Sequence, residues 1–65
     1  MDIFEVIFYG QKKPMIVKAD AISGVVDGWI TFYDRSNVAD IKIVAMFSSS
    51  NVMCIVRKDK IDEQN

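Results

Sequence analysis

Asp27-Gly28 stands between two runs of strand-forming residues, 22–26 and 29–33. A two-residue connection of this kind closes as a type I′ turn. That turn needs positive φ at both central positions, which Asp-Gly readily adopts. Side chains alternate along a strand, so Trp29, Thr31 and Tyr33 share one face while Ile30 and Phe32 share the other. One face can serve a core. The other is left holding large aromatic surface.

The remaining chain reads the same way. Residues 3–9, 15–21, 41–47 and 52–57 are rich in β-branched and aromatic residues. Polar stretches at 10–14, 34–37 and 48–51 separate them as turns. Gly24 interrupts the short run 22–26 and marks a bulge or bend. No segment carries a sustained helical period, although Ser48 to Asn51 leave room for one short helical turn, since Ser and Asn cap first turns. The predicted fold class is therefore all-β. We expect a single small meander of about five antiparallel strands, curled into a barrel-like or half-open roll that hides its edges. Residues 1–65 make one domain, with 58–65 a charged tail expected to fray.

Alternation assigns Phe4, Val6, Phe8, Val17, Ile30, Phe32, Ile43, Ala45, Phe47, Cys54 and Val56 to the core. It leaves Trp29, Tyr33, Tyr9, Ile7, Val44, Met46 and Met53 outside. Hydrophobic residues make up 51% of the chain, more than one small core readily hides, and such a surplus usually ends in an interface. Trp, Tyr and Met are the residue types enriched there. Trp29, Tyr33, Tyr9, Val44 and Met46 are the candidate partner-binding residues.

Catalysis fails on inventory. The chain has no histidine, hence no ordinary general base near neutral pH and no Ser-His or Cys-His nucleophile. One cysteine cannot build a zinc site, and Gly10, Gly24 and Gly28 are isolated rather than a phosphate loop. No cofactor or metal is expected. Asp20, Asp27, Asp34 and Asp40 sit at strand ends and turns, where Asp serves local hydrogen bonding. Cys54 reads as a buried structural thiol.

A net charge of −1 supplies no field for a phosphate backbone, and Lys42 is the one cation near the aromatic strand. Nucleic acid is thus disfavoured. A lone cysteine argues against an oxidising compartment. The opening Met1-Asp2-Ile3-Phe4-Glu5 lacks the basic start of a signal peptide, and no apolar run approaches a membrane span of about 20 residues. The expected location is the cytoplasm, without membrane contact.

The order of these blocks resembles a class of short bacteriophage and prophage proteins. The resemblance rests on the Ala19-Asp20 junction, the Asp-Gly turn, the G-x-x-x-F-Y-D block from Gly28 to Asp34, Val44-Ala45-Met46-Phe47, and 52–57. It covers about residues 3–58, and this chain departs from it at 38–42 and in its acidic tail. Such proteins commonly work by stoichiometric binding to a host protein. The resemblance implies a small all-β inhibitor of a host protein or defence complex, acting by steric occlusion in the bacterial cytoplasm. It transfers no site residue. The alternatives are a structural or assembly homo-oligomer, such as a homodimer, and a single-stranded nucleic-acid binder that stacks bases on the same rings.

Overall fold

A computed structural model of the protein describes residues 1–58 and is all-β. Six strands run in chain order: β1 (Asp2–Phe8), β2 (Met15–Ala19), β3 (Ala21–Ile22), β4 (Trp29–Asp34), β5 (Lys42–Ser48) and β6 (Val52–Lys58). A single 3₁₀ turn, Ser49–Asn51, joins β5 to β6, where the sequence left room for one. The strands form two three-stranded antiparallel sheets, ordered β2-β1-β6 and β3-β4-β5. This replaces the expected single meander of about five strands. The sheets are separate and do not close into a barrel. Of the expected charged tail, residues 59–65 lie outside the described residues.

The division into two sheets happens at Asp20. Residues 15–21 read as one strand, but the chain bends after Ala19 and continues in the other sheet from Ala21. There the Asp20 N–H donates to the Tyr33 carbonyl at 2.8 Å. A strand that changes sheets through a bend is a common way to make a corner in packed β structures. Asp20 also holds the corner with its side chain, accepting the Arg35 N–H on Oδ2 at 2.6 Å.

Asp27 and Gly28 have φ of 51° and 80°, the pair of positive angles that a type I′ turn requires. Val26 and Trp29 exchange both backbone hydrogen bonds across it, each 2.9 Å. The strand leading into the turn is shorter than expected. The Ser23 hydroxyl accepts the Thr31 N–H at 3.1 Å and donates to the Gly24 carbonyl. A side chain thus occupies a ladder position. Regular pairing stops at Ile22 opposite Phe32 and returns only as a bridge at Val26.

Phe4, Val6, Val17 and Ala19 from one sheet meet Ile30 and Phe32 from the other to form the buried core. All four phenylalanines of the chain form one edge-to-face column. Ring centroids are 5.3 Å apart for Phe4–Phe32, 5.8 Å for Phe32–Phe47 and 5.2 Å for Phe47–Phe8. Aromatic pairs favour this geometry because a positive ring edge meets a negative face.

Three expected core residues lie outside it: Ile43, Cys54 and Val56 are exposed. Two bulges explain the change. On β5 the register passes from Phe32 opposite Ala45 to Tyr33 opposite Ile43, which leaves Val44 as the extra residue. Ile43 therefore shares the outer face of Tyr33. On β6 the register passes from Ile7 opposite Cys54 to Phe8 opposite Val52, with Met53 extra. Cys54 and Val56 lie opposite Ile7 and Glu5, on an outer face, while Val52 and Ile55 pack against the core. One inserted residue moves everything beyond it to the other side of the sheet.

Candidate protein-binding surface

The outer face of β4 and β5 gathers four of the five candidate residues. Trp29 opens β4 and is 46% exposed, and Tyr33, on the same side, is half-buried. Met46, opposite Thr31, is 47% exposed, and the bulge presents Val44 beside it. Alternation missed Ile43, which the bulge turns onto this face at 59% exposure. The unbroken apolar run 43–47 carries no signal of where its phase changes.

Thr31 behaves differently from its neighbours. It lies on the Trp29 side yet is only 8% exposed. Its side chain is short, flanked by Trp29 and Tyr33 two residues away in each direction and faced by Met46. Its backbone N–H and carbonyl are both engaged with Ser23. The larger side chains shade a polar residue in the middle of an apolar patch.

Tyr9 belongs to the other sheet but is tied to the same end of the molecule. Its N–H donates to the Asn51 carbonyl at 3.0 Å, and the Ser49 N–H donates to the Gly28 carbonyl at 2.8 Å. The 3₁₀ turn therefore bridges Tyr9, 61% exposed, to the hairpin turn that carries Trp29. The Ser48 and Ser50 hydroxyls at this turn are 2.9 Å apart.

Within β4 and β5 charge falls at the Asp34–Lys42 end of this face, while Asp27 stands in the turn beyond Trp29. Asp34 pairs in register with Lys42, and Lys42 Nζ is 3.8 Å from Asp40. The Ser36 N–H, 2.9 Å from Asp34 Oδ1, is the main reason the Asp34 carboxyl lies below its ordinary value. The Ser36 hydroxyl, Asp20 and Lys42 add smaller effects, against slight desolvation. Asp34 thus serves a local turn, as its position suggested, whereas Asp20 accepts from the Arg35 N–H, fifteen residues away. The outer face of the other sheet is chemically different. There Glu5 lies between Ile16 and Val56 in register, Ile3 lies between Lys18 and Lys58, and Lys58 pairs with Glu5 at 3.8 Å.

Among the described residues no cluster of three or more His, Cys, Asp or Glu side chains could hold a metal ion. No helix among them is long and apolar enough to cross a membrane. No family model, curated protein or solved structure matches the chain.

Proposed function

We propose that this chain is a non-catalytic protein-binding module that docks through the outer face of β4 and β5 and occludes the surface it covers. The observation that carries the reading is the exposed group Trp29, Ile43, Val44 and Met46, uncharged at its centre and bordered by charge at its ends, Asp34 and Lys42 at one and Asp27 at the other. An apolar centre with a polar border is the usual anatomy of a protein interface.

Strand addition is the less favoured route. The two seven-residue edge strands, β5 and β6, each carry a bulge, and bulges blunt an edge against pairing. Size favours a different protein over a second copy. Strands of this length span roughly 20 Å, and two of them about 10 Å in width. A flat contact between two such faces falls well below the ~800 Å² per partner typical of a stable complex. A larger partner with a concave surface can reach past Trp29 over the 3₁₀ turn to Tyr9. In the form that the phage resemblance suggests, that partner is a host protein or defence complex in a bacterial cytoplasm.

The test is partner capture from bacterial lysate, with the mass of the purified chain measured alongside. Trp29→Ser combined with Met46→Lys should abolish capture while the protein stays folded. An Ile16→Ser, Val56→Ser control should retain it. A purified homodimer dispersed by the first pair would instead establish the assembly reading. Tight, salt-sensitive binding to single-stranded DNA would establish the nucleic-acid reading.

A further inference from the structure

We propose a second site, separate from the Trp29 face: a cleft that binds a small apolar carboxylic acid. It has a volume of about 460 Å³ and opens where the two sheets meet the 10–14 loop. Phe8 and Phe47, one from each sheet, form one wall of it, in edge-to-face contact with each other. Pro14 and Met15 add apolar wall. Gln11 and Lys13 supply its side-chain polar groups.

The shape of the loop is held locally. Gly10 has φ of 78°, and the Gln11 N–H donates to the Phe8 carbonyl at 3.3 Å. Small-molecule sites are concave, mostly apolar and supplied with a few polar groups that fix orientation. This cleft has that composition, and its volume suits a ligand of small size.

Charge identifies the ligand. No acidic residue lines the cleft, and none of the ion pairs among the described residues involves Lys13. The ammonium is thus available for an anion, with the Gln11 amide as a second donor. A carboxylate can lie against Lys13 while its hydrocarbon covers the two rings. The cleft of about 550 Å³ that includes Asp2, Asp20, Arg35 and Arg57 differs, because two carboxylates line it and Arg57 is paired with Asp2.

The chain's methionines provide the readout. Protein labelled with ¹³C at the methionine methyls is titrated with octanoate and, separately, with octanamide. Met15 lies in the cleft, whereas Met46 and Met53 are exposed elsewhere. The Met15 methyl should shift saturably with octanoate while Met46 and Met53 stay still. Lys13→Gln should weaken octanoate binding about fivefold, the scale of a partly exposed ion pair, and leave octanamide unaffected. The proposal is overturned by an unmoved Met15 at millimolar octanoate. It is equally overturned by parallel shifts at all three methionines, or by equal binding of acid and amide. Failure here leaves the Trp29 face untouched, since none of its residues takes part.

Discussion

Phe32 is the most consequential side chain in the fold, and its removal gives the sharpest test of the packing. It is fully buried and touches Phe4 and Phe47 edge-to-face, linking the two sheets through one ring. Phe→Ala changes in cores cost about 3–5 kcal/mol, through lost transfer energy and the cavity left behind. Two aromatic contacts, each worth about 0.5–1.5 kcal/mol beyond area, place this site in the upper half of that range. A 65-residue chain has roughly 3–10 kcal/mol of total stability. Phe32→Ala should therefore remove much or all of it. At about 4–8 °C per kcal/mol for a domain of this size, the melting temperature should fall by more than ~15 °C.

Urea unfolding followed by far-UV circular dichroism and by Trp29 fluorescence measures the change with two probes. Phe32→Leu, which keeps most of the volume but loses both ring contacts, should cost about half as much. Trp29→Ala, at a half-exposed position on the other face and followed by circular dichroism alone because it removes the one tryptophan, should cost less still. A Phe32→Ala protein within ~1 kcal/mol of the parent would refute the assignment of the two faces of β4.

The bulge on β5 makes a paired prediction: Ile43→Lys should leave stability within about 1 kcal/mol, whereas Ala45→Lys should unfold the domain by burying an unpaired charge. Equal tolerance at both positions in thermal melts would show the register to be wrong. Asp34 makes a pH prediction. Its folded pKa is lowered, so its stabilising contribution is present above the ordinary carboxylate range and is lost as pH falls through the depressed value. Carboxyl ¹³C titration should place its midpoint below that of a free aspartate. Ser36→Ala should raise the midpoint only part of the way, because the Ser36 N–H, the larger cause, remains.

How far the fold was legible depended on the range of the interaction involved. The Asp27-Gly28 turn and the alternation Trp29-Ile30-Thr31-Phe32-Tyr33 are set by neighbouring residues, and both stand in the sequence in full. The corner at Asp20 was hidden, because Ala19-Asp20-Ala21 continues the strand pattern without a proline or glycine to break it. Its cause is long-range: the Asp20 N–H donates to the Tyr33 carbonyl and the Arg35 N–H donates to the Asp20 carboxylate, drawing the chain into the second sheet. The bulges were hidden for a similar reason. In 43–47 and 52–56 every residue is apolar, so hydropathy cannot tell which one the partner strand skips. Tyr9 was identified from its residue type, but its tie to Trp29 depends on two backbone hydrogen bonds made by the 3₁₀ turn.

These hidden features also decide how the surface can work. Without an extra residue at Val44, Ile43 would continue the inward phase of Ala45 and Phe47, leaving less apolar surface beside Tyr33. With it, Ile43 turns outward beside Tyr33, and the same irregularity interrupts the free edge of β5. One inserted residue thus enlarges the face and blunts the edge. Met53 interrupts the edge of β6 in the same way, but there the residues turned outward, Cys54 and Val56, join a face studded with Glu5, Lys18 and Lys58. Charges interleaved with apolar residues must each be desolvated or paired on docking, which costs binding energy. Two equivalent backbone defects therefore produce unequal surfaces, and the difference lies in the charge of the neighbouring strands. That asymmetry is why we propose the Trp29 face, rather than the outer face of the other sheet, as the docking surface: apolar burial at its centre strips no charge.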